Sequence, residues 1–384
     1  MDFSFSSEQQ ILQKTLADFA ARELAPYYAS RDRDEDLPRE IVKKLGAMGL
    51  LAPMADTVYG GQSLDYVSTG IAFEEISRGD FNAGYVLLLS ALVGAIVQAH
   101  GDERQKHEIL PGICRGDVVT ALATTEPSGG SDAAHVKLAA RRDGDAYILE
   151  GEKTSISLGS WADTALVAAR TGTYEQGARG VSAFYVDLNS PGVSRNRFRD
   201  LGTRAIGRAQ LFFDGVRVPA SSRIGAEGAG FVQVMQGFDF SRSLIGLMCI
   251  SVAQQSVEES CRYVAERQAF GGSLARFEGV SFPLAEAAVK LRAARLLCYE
   301  ALWLKDCGQP HGWIAAGAKW LAPELAAQAL HQCLLLHGHL GFWLDLPHQQ
   351  RMRDVIGLEI GDGTAQIMKL LVARTIIGSQ ARGY

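Results

Sequence analysis

The sequence predicts an α+β protein, mainly α, in which a β-rich middle separates two helical regions. Three observations predict it. Apolar residues recur at helical spacing from residue 1 to about 120. From 121 to 228 the pattern changes to short β-rich runs broken by Gly, Asn, Asp and Pro. From 229 to 384 long helical segments return. These three textures set the expected domains: 1–120 helical, 121–228 β, and 229–384 a helical bundle. A small β domain between two helical ones leaves a cleft where all three meet, and such clefts favour ligands.

In the first domain, Ile11, Leu12, Leu16, Phe19 and Ala20 share one face of a helix over 8–24. Similar patterns recur over 38–49, 65–78, 83–99 and 102–114. Pro38, Gly60-Gly61, Gly101 and Pro111 punctuate them. In the middle, 136–142 and 146–150 flank Asp143-Gly144-Asp145, which predicts a hairpin. Further strands are expected over 164–169, 181–187 and 209–218. Long helices are expected over 230–268, 281–306, 311–337 and 364–378. Leu284, Ala288, Leu291 and Ala294 form the apolar stripe of the second of these, which suits a bundle of up-and-down neighbours.

The chain has 384 residues, 47% hydrophobic and 21% charged, with a formal net charge of −5. That composition is globular. The acid excess argues against a nucleic-acid partner, which would need a basic stripe. Six cysteines occur without a C-x-x-C pair or a Cys/His zinc spacing. Reduced thiols, no metal and a cytoplasmic location are expected. His337 and His339 lack a third ligand and are read as structural. The longest apolar run, Tyr85 to Val97, falls short of the roughly 20 residues a membrane span needs and predicts a buried helix.

The strongest motif is Thr124-Thr125-Glu126-Pro127-Ser128-Gly129-Gly130-Ser131-Asp132. Its glycines let backbone approach a flat ring or a phosphate closely. Alone it would be an ordinary loop. It is followed by Gly151-Glu152-Lys153-Thr154-Ser155-Ile156-Ser157, Phe238-Asp239-Phe240-Ser241-Arg242 and Glu266-Arg267-Gln268-Ala269-Phe270-Gly271. Arg353-Asp354 and Gly361-Asp362-Gly363-Thr364-Ala365-Gln366-Ile367 complete the set. In this order and spacing, the set resembles the acyl-CoA dehydrogenases over essentially the whole chain. The resemblance implies a middle domain that is β-barrel-like and a C-terminal four-helix bundle. It implies FAD, a homotetramer with FAD bound between protomers, and electron-transfer flavoprotein as electron acceptor.

The family's reaction explains the residue types. A carboxylate takes the α-proton of an acyl-CoA thioester, and the β-hydrogen leaves as hydride to the flavin. Two hydrogen bonds polarise the thioester carbonyl, one of them from the backbone N–H of the base residue. The matching base here is Asp362, one methylene shorter than the Glu most members carry. A second base position of the family falls on Ser241, which cannot serve. By resemblance, Thr125, Gly130, Ser131, Ile156, Ser157, Arg267, Phe270, Gly338, Thr364 and Gln366 contact FAD. Ser131, Leu88, Asp239, Arg242 and Gly363 face the substrate. Three places depart from the family. Ser155 replaces the usual flavin-packing aromatic, the segment 334–342 lacks a Gln and a Gly, and Glu278 replaces a frequent Gln.

Leu87, Leu88 and Leu89 predict an apolar pocket floor. With no Arg there, a dicarboxylate such as glutaryl-CoA is disfavoured. The Asp base resembles the alicyclic branch, which oxidises cyclohexane-1-carboxyl-CoA to cyclohex-1-ene-1-carboxyl-CoA. Straight short- or medium-chain and branched-chain acyl-CoAs are the alternatives. A nitroalkane-oxidase-like or acyl-CoA-oxidase-like enzyme, distinguished by oxygen consumption, is another. A non-catalytic flavin-binding protein of this fold is the reading from a different class.

Overall fold

The computed structural model describes residues 3–378 and 380–381. Its first region is helical: α1 (Ser7–Phe19), α2 (Tyr28–Asp34), α3 (Arg39–Ala47), α4 (Tyr66–Gly79), α5 (Phe81–His100) and α6 (Glu103–Cys114). α1 starts at a capping box in which the Ser6 hydroxyl accepts from Gln9 N and the Gln9 side chain accepts from Ser6 N. The helix expected over 8–24 does continue, but as a wider π-helical turn from Ala20 to Leu24. α5 is 20 residues long, longer than its apolar run, and sixteen of its residues are buried. It is long and apolar enough to cross a membrane, yet 89% of its most apolar stretch lies inside the protein. There it packs against α4, α6 and, farther along the chain, α7 (Gly230–Glu266).

The middle region is one sheet. Its strands are β1 (Thr120–Ala123), β2 (Ala139–Asp143), β3 (Ala146–Ile156), β4 (Thr164–Arg170), β5 (Val181–Asp187), β6 (Val193–Arg197), β7 (Ala209–Pro219) and β8 (Arg223–Ile224). They lie in the order β6-β7-β3-β2-β4-β5-β8, with β1 parallel to β4. The expected hairpin is present: Asp143 pairs with Ala146 around Gly144-Asp145, and Gly144 takes the left-handed conformation the turn requires. β6 escaped the sequence reading because its alternating Ser, Arg and Asn side chains are mostly exposed.

After α7 come a two-stranded hairpin, β9 (Gln268–Ala269) and β10 (Gly272–Ser273), then α8 (Glu278–Asp306), α9 (Gly312–Leu336), α10 (His348–Ile360) and α11 (Ala365–Ile377). α7, α8 and α9 pack on one another, and α10 and α11 lie on α9. The bundle is the one expected, with one helix unforeseen. α10 hides from a hydrophobic pattern because four of the six residues it buries are polar: His348, Gln350, Arg351 and Asp354 beside Val355 and Leu358.

Candidate active site

Asp362 sits in the turn between α10 and α11. Gly361 caps α10 in an extended conformation, and Thr364 caps α11, its hydroxyl accepting from Ile367 N at 3.4 Å. Asp362 has φ +55° and Gly363 φ +98°. A left-handed backbone costs a non-glycine residue about 1–2 kcal/mol, and such positions cluster at functional sites. The carboxylate is half-buried. Burial raises its pKa above the usual carboxylate range, while Lys319, Arg208 and Arg242 pull it back down. Among the described residues the Asp362 N–H has no intramolecular acceptor. A raised carboxylate pKa beside a free amide is the pair of features a base acting next to a carbonyl needs.

α7 brings Asp239 and Arg242 to the same region. They pair at 2.8 Å, and Arg242 is buried with its Nε left without a partner. Burial lowers the Arg242 pKa. Ser241 is buried and donates to the Phe238 carbonyl at 3.4 Å, so its hydroxyl is spent inside α7. Leu88 is buried on α5, and Tyr85 lies one turn earlier. α5 carries no arginine of its own, but one from the middle region acts beside Asp362. Arg208, from the loop before β7, acts electrostatically on both Tyr85 and Asp362. It is held by Asp200 at 3.7 Å and by the Thr203 hydroxyl at 3.4 Å. The helix sequence could not reveal it, because the side chain enters from another domain.

The glycine-rich turn leaves β1 and is fastened from beneath. Lys153 donates to the Thr124 carbonyl at 3.0 Å and to Glu126 at 2.8 Å, and Glu126 also accepts from the Lys137 and Leu138 N–H groups. Both side chains are buried. Burial pushes the Lys153 ammonium down to about 8 against the pull of Glu126. Thr154 N donates to the Thr125 carbonyl, tying the turn to β3. The Glu126–Lys153 pair is therefore structural.

Above this anchor, residues 127–132 are exposed. A Cβ on Gly130 would meet only the Thr125 methyl at 3.5 Å, and one on Gly129 only Asp132 at 3.9 Å. The turn is therefore an open cradle of backbone, which fits a bound ring or phosphate. Beside it β3 is bulged between Lys153 and Ile156. Ser155, which departs from the family's usual aromatic, has φ +56° and is exposed; Ile156 is buried and Ser157 is half-buried.

The remaining candidates lie elsewhere. Arg267 and Phe270 belong to the β9–β10 hairpin beyond the end of α7; Arg242 and Arg267 are separated by 25 residues, roughly 37 Å of helix. Phe270 is 86% exposed with φ +52°. Gly338 and Gln366 are exposed as well. The chain thus brings Asp239, Arg242, Asp362 and Gly363 to one region and leaves Arg267 and Phe270 exposed. The donors present fit FAD: an open glycine cradle in the chain itself, and an exposed Arg–Phe pair for a phosphate and a ring.

Three family models match the chain: "Acyl-CoA dehydrogenase, N-terminal domain" over 6–117, "Acyl-CoA dehydrogenase, middle domain" over 121–216 and "Acyl-CoA dehydrogenase, C-terminal domain" over 228–377. The short-chain specific acyl-CoA dehydrogenase of Rattus norvegicus mitochondria is 35% identical over 96% of this chain and 90% of its own length. Among solved structures, butyryl-CoA dehydrogenase from Megasphaera elsdenii matches with a TM-score of 0.94 and 28% identity, covering 98% of this chain and all of that one. A chain from a structure described as the electron transferring flavoprotein of Acidaminococcus fermentans matches with a TM-score of 0.95 and 32% identity, over 98% of this chain and all of that one.

Proposed function

The chain belongs to the acyl-CoA dehydrogenase family, an FAD-dependent class of oxidoreductases acting on CH–CH bonds, and on that premise we propose that Asp362 is its catalytic base. The carrying observation is the half-buried carboxylate, raised in pKa, in a left-handed turn beside its own free N–H. Asp362 takes the α-proton: the Cα–H bond breaks and its electron pair moves toward the thioester carbonyl. The carbonyl oxygen accepts from the Asp362 N–H, a stabilisation worth a few kcal/mol for such a donor. FAD, when bound, supplies the acceptor for the β-hydrogen as hydride. Thr125, Gly130, Ser131, Ile156 and Ser157 would hold it within the protomer. Arg267 and Phe270 would reach the FAD of a second copy, in the homotetramer that the family resemblance implies. Electron-transfer flavoprotein is the proposed acceptor of the electrons, a reading supported by the Acidaminococcus fermentans match.

For the acyl group, the short Asp side chain favours a bulky tertiary Cα, hence cyclohexane-1-carboxyl-CoA. A second reading, a straight short chain, is favoured by the short-chain relative and the butyryl-CoA dehydrogenase match. Anaerobic bleaching of the flavin with straight, branched and cyclic acyl-CoAs decides between them. Much faster bleaching by butanoyl-CoA than by the cyclohexane thioester rejects the alicyclic reading. Asp362→Asn should keep FAD and lose at least about 10²-fold in kcat. Unchanged turnover would reject the base.

A further inference from the structure

Lys319 stands on α9, 1% exposed. Its ammonium donates to two carbonyls, Leu358 at 2.7 Å and Gly363 at 2.6 Å. Leu358 lies in the last turn of α10, and Gly363 follows the proposed base. The two acceptors therefore bracket Asp362 in sequence, and one cation holds both ends of its turn. Neither acceptor is a carboxylate, so no ion pair explains the lysine. Burying an ammonium is expensive, and a methionine would fill the same space without that cost. Two things offset it here. The C-terminal end of α10 carries partial negative charge. The two carbonyls, without the lysine, would lose their partner.

We propose that Lys319 is a positioning residue for Asp362: by holding the Leu358 and Gly363 carbonyls it fixes the left-handed turn that aims the carboxylate and its N–H at the substrate. The proposal rests on the reading of Asp362 as base. Lys319 also belongs to the charge set around that carboxylate. Arg242 faces it from α7 and Arg208 from the loop before β7, while Tyr85 approaches from α5. Glu359 on α10 and Cys249 on α7 face Lys319 itself. Burial lowers the Lys319 pKa to about 8, and the nearby Asp362 resists that fall. In return the ammonium favours ionised Asp362.

The position and the charge can be separated by two substitutions in the FAD-loaded enzyme. Butanoyl-CoA and cyclohexane-1-carboxyl-CoA serve as probes. Lys319→Met removes both donations and the charge. It should lower kcat by about 10- to 100-fold, with KM changing much less, as expected when a transition-state interaction is lost. It should also move the acid limb of the kcat/KM profile to higher pH, because Asp362 loses a nearby cation. Lys319→Gln keeps a donor without the charge, so it should recover part of the rate but keep the displaced limb. In an Asp362→Asn background, Lys319→Met should cost little further rate.

Should Lys319→Met be recovered without FAD or with a collapsed melting temperature, the Gln variant carries the same test through its acid limb. A folded, FAD-replete variant with parental rate and an unmoved limb overturns the proposal. If Asp362→Asn itself retains turnover, the base reading has failed first. If Asp362→Asn is inactive while Lys319→Gln is parental in rate and limb, only the positioning role has failed.

Discussion

The site depends on a few residues whose backbone is as specialised as their side chains. Gly363 has φ +98°, and a Cβ there would meet the Met368 methyl at 2.5 Å. Gly363→Ala puts a side chain on a left-handed backbone and requires the Met368 methyl to move aside, so it should displace the Asp362 turn. The expected result is a fall in kcat of roughly 10-fold or more with FAD retained, read by steady-state kinetics and flavin absorbance. Parental kinetics would show that the turn tolerates movement. The pH dependence follows from Asp362 as well. The base must be ionised to act, and burial raises its pKa. Activity is therefore present above that raised pKa and lost as pH falls through it. The acid limb of kcat/KM should lie above the ordinary carboxylate range of about 4 and disappear in Asp362→Asn. A limb at the unperturbed value would mean that the carboxylate is not desolvated.

At the scale of elements, the sequence was legible wherever a local rule sufficed. The hairpin turn was readable from Asp143-Gly144-Asp145, and the long helices from their apolar spacing, since turn chemistry and periodicity are short-range. α10 was not, because most of its buried side chains are polar and their partners are distant in sequence: Gln350 and Asp354 reach α2, and Arg351 reaches α7. The same limit applies to the site. Asp362 could be located from its motif, but Lys319 and Arg208 belong to no local pattern and matter only once the chain is folded.

The Lys153–Glu126 pair is an intermediate case. Its residues lie within recognisable motifs, yet the bond joining the glycine-rich turn to β3 is visible only in three dimensions. Breaking one side of a buried pair strands the other charge, at about 3–5 kcal/mol. Lys153→Met should therefore lower the melting temperature and release FAD at lower temperature than the parent. Coincident parental melting and flavin-release curves would contradict the anchoring role.

Across the whole molecule, the three regions meet at one buried polar junction. Asp32 on α2 accepts from Arg204 of the middle region and from Arg353 on α10. Next to it, Asp354 accepts from the Tyr28 hydroxyl of α2 and from the Thr203 N–H of the loop before β7. Asp354 is fully buried, and burial raises its pKa to about 7 despite both hydrogen bonds. In the unfolded chain the same carboxyl titrates near 4. Between about pH 4 and 7 the folded protein therefore holds a proton that the unfolded chain has released.

The contribution of Asp354 to stability is thus fully present below about pH 4 and is lost as pH rises through about 7. Its full extent is on the order of 4 kcal/mol. Asp354→Asn mimics the protonated carboxyl while keeping an oxygen for the Thr203 N–H. Relative to the parent, the variant should gain stability as pH rises from 5 to 8, most of all at the alkaline end. Denaturant unfolding at several pH values measures the difference, in which the other titrating groups cancel. A difference independent of pH would show that Asp354 stays ionised in the folded protein. The junction would then be held by charge rather than by a shared proton.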